Sequence, residues 1–174
     1  MEAAESDAER SERLFEAWRS LVDWMVGDAW RAVNGRAMVG ALILGVCAID
    51  ALGSLWAGED ASGTTYKAFA KKYLPRGTEY SDLVYDGMRN RLVHNYSSRG
   101  FSYTDGRPEM HLLRDEYDRL VINVESFVAE VEAAAKQYFI DLCSDRTLYE
   151  NFLRRTKEEG YPLLSTNPLT RDPQ

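Results

Sequence analysis

Residues 36–57 read RAMVGALILGVCAIDALGSLWA and form the most apolar stretch of the chain. Arg36 and Asp50 are its only charged residues, so a helix formed here would be apolar on nearly every side. Such a helix is typical of the centre of a bundle. The uninterrupted apolar run 37–49 is shorter than the ~20 residues needed to cross a bilayer. We therefore predict a buried central helix and no contact with a membrane.

On both sides of this stretch, apolar residues recur at intervals of three and four, which is the spacing of amphipathic helices. The Asp105–Gly106 pair lies between two aromatic or apolar segments and is a hairpin-type turn signal. It predicts a small β-hairpin or an ordered loop near 100–113. The fold class is therefore all-α, a bundle of about five to six helices. The flanking helices are predicted at about 11–33, 64–74, 79–96, 115–143 and 145–159.

The length of 174 residues suits one domain. We predict a single helical domain over 11–160, a flexible acidic segment over 1–10 and an extended or disordered tail over 161–174, which is rich in proline. The N-terminus lacks the pattern of a signal peptide, which predicts a cytoplasmic protein. Cys47 and Cys143 have no metal-ligand spacing, so we expect both to be reduced and packed, with no metal or other cofactor.

The formal net charge of -7 argues against a protein that coats nucleic acid, because that mode needs many phosphate contacts. The charge is uneven, however, since residues 64–107 contain eight Lys or Arg against four Asp or Glu. This segment is either a local anion site or a solvated surface of mixed charge. Lys67 and Lys71, on one side of the helix predicted at 64–74, are candidates for contact with an RNA backbone.

Residues 85–96 read YDGMRNRLVHNY and contain one of the two histidines of the chain. At α-helical spacing Asn90 and His94 share a face, and Arg89 lies on the same helix. RNA cleavage by its own 2′-hydroxyl needs a base for that proton and a cation for the charge that develops on the phosphate. His94 is the candidate base and Arg89 the candidate cation. Asn90 would hold the imidazole or a phosphate oxygen.

Structural roles remain open for the same residues. His94 would also serve as a cap at a helix end, and Arg89 would also pair with Asp50 or with Asp86. Asp50 either pairs with a basic side chain of this helix or is half-exposed. The second histidine, His111, is interpreted as a surface strand residue rather than a second catalytic group.

The segment Arg89-Asn90-Arg91-Leu92-Val93-His94-Asn95-Tyr96 resembles the Arg-x4-6-His signature of the HEPN superfamily. It is also similar to the Arg-x4-His-x-Tyr form found in HEPN toxins encoded beside a nucleotidyltransferase antitoxin. The resemblance implies a helical bundle that forms a homodimer with the two motifs facing each other. It implies a metal-independent endoribonuclease with Arg89 and His94 as catalytic residues and Asn90 as their polar companion. It also implies that Tyr96 is modified with AMP.

The functional hypothesis is an endoribonuclease that cleaves RNA in a toxin–antitoxin or phage-defence system. Its expected partners are an RNA substrate, a second copy of the chain, and an antitoxin or nucleotidyltransferase. The alternative is a non-catalytic helical module that binds a protein or a nucleotide. The predicted hairpin and final helix depart from a minimal HEPN bundle. The candidate nucleic-acid-binding residues are Arg91, Tyr96, Arg99, Lys67 and Lys71.

Overall fold

The computed structural model describes residues 5–95, 98 and 100–157. It is an all-α bundle with one small two-stranded sheet, which confirms the predicted fold class. The predictions for Tyr96, for Arg99 and for the tail 161–174 fall outside the described residues.

The N-terminal helix begins earlier than the predicted start at 11. Ser6 caps it through a capping box, in which the Ser6 hydroxyl accepts from the Glu9 backbone N–H and the Glu9 carboxylate accepts from the Ser6 N–H. Residues 7–10, predicted to be flexible, are therefore helical. The helical path continues through a π-helical segment. Its three parts are α1 (Asp7–Trp18), π1 (Arg19–Val26) and α2 (Gly27–Asn34).

Helix α3 (Met38–Ala57) is the centre of the bundle and confirms the buried central helix. It contacts helices from both halves of the chain. At Gly45 an added Cβ would lie 2.6 Å from the Phe127 ring, so the glycine allows a close helix crossing. By length and composition α3 would also suffice to cross a membrane, but 56% of its most apolar window is buried within the fold. Such burial is typical of the core helix of a soluble protein.

Four helical elements follow, and the last three form one continuous path. This path confirms the helix predicted from residue 79, as far as the described residues extend, but its middle is π-helical rather than α-helical. The Val93 N–H bonds to the Met88 carbonyl, an interval of five residues. The elements are α4 (Gly63–Tyr73), α5 (Gly77–Asp82), π2 (Leu83–Leu92) and α6 (Val93–Asn95).

Of the two forms predicted near 100–113, the structure shows the ordered loop and not the hairpin. Strand β1 (Phe101–Thr104) pairs with β2 (Leu120–Asn123), and the two strands are parallel, so Asp105–Gly106 does not join the paired strands. Residues 105–119 instead form an ordered connection that includes a 3₁₀ turn at Pro108–Met110. The helix predicted from 115 begins later because Val121 and Ile122 favour extended backbone, and Asn123 then caps the next helix through Ser126 N–H.

The last two helices complete the bundle. Helix α7 (Val124–Ser144) packs on α3, and α8 (Arg146–Thr156) closes the C-terminal end of α3. Arg154 donates to the carbonyl of Gly58 at 2.9 Å, where Gly58 has a φ of 75°. Glycine suits this left-handed position, and the bond from Arg154 satisfies an oxygen at the end of α3. The final helix is therefore an integral part of the domain.

Candidate functional site

The three predicted catalytic residues lie at the end of the π2–α6 path. Arg89 and Asn90 belong to π2, and His94 belongs to α6. The His94 side chain is exposed, whereas that of Arg89 is 30% exposed. On an α-helix residues five apart differ by about 140° around the axis. A π-helical hydrogen bond spans five residues, but His94 lies beyond π2 in the α-helical α6, so this interval does not by itself make Arg89 its neighbour.

Arg89 is held from three directions. Its Nη2 donates to Asp50 Oδ2 at 3.3 Å and its Nη1 donates to Asn90 Oδ1 at 3.1 Å. The guanidinium carbon also lies 5.7 Å from the centre of the Tyr85 ring, within cation–π range. Of its five N–H groups two donate here, and the other three make no hydrogen bond within the described part of the chain. The structure thus shows the pairing with Asp50 and leaves donors for an anion.

Lys67 does not present an unopposed charge at this surface. Its Nζ lies 3.1 Å from Asp82 Oδ1 and 2.9 Å from Asp86 Oδ2, so two carboxylates offset one ammonium. It also contacts the Tyr85 ring at 5.2 Å. The sequence assigned Tyr85 no role, yet its ring is within cation–π range of both Lys67 and Arg89. Its position four residues before Arg89 is the helical spacing that could have indicated this contact.

The remaining candidates for nucleic-acid contact are only partly placed by the structure. Lys71 and Arg91 have exposed side chains. Because two acidic neighbours offset the charge of Lys67, Lys67 is the weaker of the two lysine candidates for phosphate contact. All three assignments stay predictions.

One face of α3 remains uncovered in the single chain. Its residues recur at intervals of four and three, so they form one line along the helix, which we call the α3 strip. Leu44 and Cys47 are exposed on it, and the flanking positions are half-buried. Asp50, which holds Arg89, lies one turn beyond Cys47 on the same helix. The α3 strip consists of Gly40, Leu44, Cys47 and Ala51.

The cysteines are free, as predicted, but they are not packed. Both Cys47 and Cys143 are exposed. Partial burial raises the pKa of Cys47, and the nearby charge of Asp50 raises it further while that of Arg89 lowers it. The Cys47 thiol is therefore kept protonated beside the candidate site.

His111 was wrongly interpreted as a surface residue. Its side chain is 1% exposed, and its Nδ1 accepts a hydrogen bond from the backbone N–H of Asn123 at 3.0 Å. Since Nδ1 accepts, the proton of the neutral imidazole is on Nε2, which lies 3.5 Å from Glu130 Oε1. The apolar neighbours Met110 and Leu112 were the sequence signal for burial.

Glu130 joins three separate parts of the chain in a buried cluster. Arg76 Nε donates to its Oε1 at 3.2 Å, and the Tyr80 hydroxyl donates to its Oε2. Burial raises the pKa of Glu130, but the contacts with His111, Tyr80 and Arg76 lower it by more, so it lies below its ordinary value. We call Glu130, His111, Tyr80 and Arg76 the Glu130 cluster. The Glu130 cluster fastens residues 101–123, which include both strands, to α5 and α7.

Comparisons with known proteins yield no relative for this chain. No family model matches it, and neither a curated protein nor a solved structure matches it significantly. Within the described residues no group of three or more His, Cys, Asp or Glu could hold a metal ion. The indications of function are therefore the motif and the contacts around Arg89.

Proposed function

We propose that this protein is a metal-independent endoribonuclease of HEPN type. The observation that carries the proposal is that one helical path ends with both an exposed imidazole, His94, and a guanidinium, Arg89, that is fixed by its neighbours and 30% exposed. His94 is open to solvent, and Arg89 keeps three N–H groups without a hydrogen bond among the described residues. This combination suits a phosphate group, which accepts hydrogen bonds and carries negative charge.

In the proposed reaction the imidazole of His94 takes the proton of a ribose 2′-hydroxyl. The 2′-oxygen then forms a bond to phosphorus, and the bond from phosphorus to the 5′-oxygen of the next nucleotide breaks. Arg89 stabilises the negative charge on the non-bridging oxygens as the phosphorane forms. The leaving 5′-oxygen takes a proton from the imidazolium, which restores His94. The products are a 2′,3′-cyclic phosphate and a 5′-hydroxyl.

The direct test is incubation of the purified protein with single-stranded RNA in the presence of EDTA. We expect cleavage with 2′,3′-cyclic phosphate and 5′-hydroxyl ends, identified by mass spectrometry of the products. Because the donors are side chains of Arg and His, the chelator should leave the rate unchanged. Loss of cleavage on addition of EDTA, with recovery on addition of a divalent cation, would contradict the mechanism.

We further propose that the α3 strip is covered by a second copy of the chain. Exposed apolar surface beside a polar site is typical of an interaction surface. The HEPN resemblance implies a homodimer with facing motifs, and a contact through the strip would place the Asp50–Arg89 pair of each copy near the interface. The α3 strip would then be part of the interface of the functional dimer.

Leu44→Arg should convert the dimer to a monomer, because it places a charge in the centre of an apolar contact. The measurement is sedimentation equilibrium combined with the RNA cleavage assay, in which we expect at least about a tenfold loss of rate. Leu113→Arg is the matched control, since Leu113 is 52% exposed and lies in the connection between β1 and β2 rather than on α3. A wild-type chain that stays monomeric at the highest soluble concentration would contradict the dimer.

The alternative function is a non-catalytic module that binds a protein or a nucleotide. The ion pair between Arg89 and Asp50 favours it, because part of the charge on Arg89 is already offset. It predicts that neither the wild type nor His94→Ala cleaves RNA and that both bind the same partner.

For a toxin paired with a nucleotidyltransferase, mass spectrometry of the co-expressed protein should show AMP on Tyr96.

A further inference from the structure

We propose that Asp50 is a positioning residue that fixes Arg89 for the scissile phosphate of RNA. This inference rests on the proposed function, which assigns Arg89 to the phosphate. Asp50 belongs to α3 and lies 39 positions before Arg89 in the sequence. The contact between them therefore joins the central helix to the helix that carries the motif.

Arg89 is constrained both from its own helical path and from α3. Asn90 and Tyr85 lie on the same helical path as Arg89, so their contacts move with it. Asp50 alone, among the described contacts of Arg89, comes from another element. Helix α3 is the buried centre of the bundle, where close packing limits movement. The hydrogen bond to Asp50 therefore fixes the position of the guanidinium relative to that centre.

The two carboxylate oxygens of Asp50 differ in their surroundings. Oδ1 is shielded from solvent and has no hydrogen-bond partner within the described residues, whereas Oδ2 receives Arg89. A shielded, unpartnered carboxylate oxygen is unfavourable, so this carboxylate is a poor choice for stability alone. The two side chains are 30% and 33% exposed, and ion pairs of such exposure stabilise a fold only weakly. A role in orienting Arg89 accounts for a charge that packing does not favour.

The consequence for the reaction is pre-organisation. One N–H of Nη2 is occupied by Asp50, which limits rotation of the guanidinium before RNA arrives. The N–H groups that remain then have a defined direction, and the phosphate does not have to order the side chain on binding. Asp50 touches neither substrate nor reacting atoms in this scheme. It acts through Arg89.

The test compares Asp50→Asn with Asp141→Asn in the RNA cleavage assay. Asp141 is the matched control because its side chain is 31% exposed and its Oδ2 accepts from the Tyr73 hydroxyl, away from Arg89. We expect Asp50→Asn to lower kcat by about 10- to 100-fold with KM changed less than about twofold. Asp141→Asn should cleave at the wild-type rate. A purely structural role would not separate kcat from KM in this way.

A second pair of variants tests whether Asp50 acts through Arg89. In an Arg89→Lys background, which keeps the positive charge but loses the planar fork, Asp50→Asn should cause no further loss of rate. Independent effects that multiply in the double variant would overturn the inference. So would an Asp50→Asn protein that cleaves at the wild-type rate.

The nitrogen resonances of isotopically labelled arginine separate this inference from the proposed function. In the wild type and in Asp141→Asn, Arg89 should give an N–H signal that is distinct from exposed arginines and slow to exchange. In Asp50→Asn that signal should merge with those of mobile arginines. If the wild type fails to cleave RNA but the signal changes as expected, the nuclease proposal fails while the positioning of Arg89 is supported. An unchanged signal in Asp50→Asn overturns the inference whatever the activity.

Discussion

His94→Ala should abolish RNA cleavage, with a loss of about 10³-fold or more relative to the wild type. The variant removes the group that takes the 2′-hydroxyl proton, and no other histidine can replace it. The second histidine, His111, is buried, and its Nδ1 is occupied by the N–H of Asn123. The measurement is the single-turnover rate with RNA in the presence of EDTA.

The matched control is Val93→Ala, which changes the neighbouring position on α6. Val93 is 38% exposed, so its truncation should alter neither folding nor cleavage by more than a small factor. His94→Ala should keep the melting temperature of the wild type, since the side chain is exposed. Cleavage that persists in His94→Ala at a rate near that of the wild type would exclude this residue as the base. Arg89→Ala should also lose nearly all activity.

Glu130→Ala should lower the free energy of unfolding by about 3 kcal/mol. The variant removes the acceptor of the Tyr80 hydroxyl and of Arg76 Nε, and it leaves the His111 imidazole without its nearby carboxylate. Urea unfolding followed by circular dichroism measures the change. The full cost of a buried charge does not apply, because Arg76 is 40% exposed and can regain water.

Glu132→Ala is the control on the same helix. Glu132 is 29% exposed and pairs with Lys136 and Trp30 at the surface, so we expect a loss of about 1 kcal/mol or less. Equal losses of unfolding free energy in the two variants would show that the Glu130 cluster stabilises the fold no more than a surface ion pair does.

The Glu130 cluster also predicts how stability depends on pH. The pKa of Glu130 is lower in the folded protein than its ordinary value of 4.5, so the folded state binds the proton less readily than the unfolded chain. This contribution is present above pH 4.5 and is lost as the pH falls through the lower folded-state pKa. The difference in unfolding free energy between the wild type and Glu130→Gln should therefore shrink on acidification.

The folded-state pKa of Tyr80 lies well above its ordinary value because of burial and of the Glu130 charge. Its hydroxyl therefore remains a donor throughout this range. A stability difference that is constant with pH would contradict the account of Glu130.

The sequence by itself determined the helices and their order. Periodic apolar positions predicted the central helix α3, and the helix that carries Arg89 and His94, because both patterns are local. The motif was readable for the same reason, since its residues are close in the chain. For Asp50 the sequence left two alternatives, a basic partner or partial exposure, because a carboxylate in an apolar run is costly when it is both buried and unpaired.

The tertiary structure alone decided which distant residues these helices and strands contact. It chose a parallel pairing of Phe101–Thr104 with Leu120–Asn123 over a hairpin, and it buried His111 against Glu130. It also joined Asp50 to Arg89 and left the α3 strip uncovered. Each of these outcomes depends on contacts between residues far apart in the chain. Spacing within one helix records which side chains share a face, but only the packing of all helices determines what lies opposite that face.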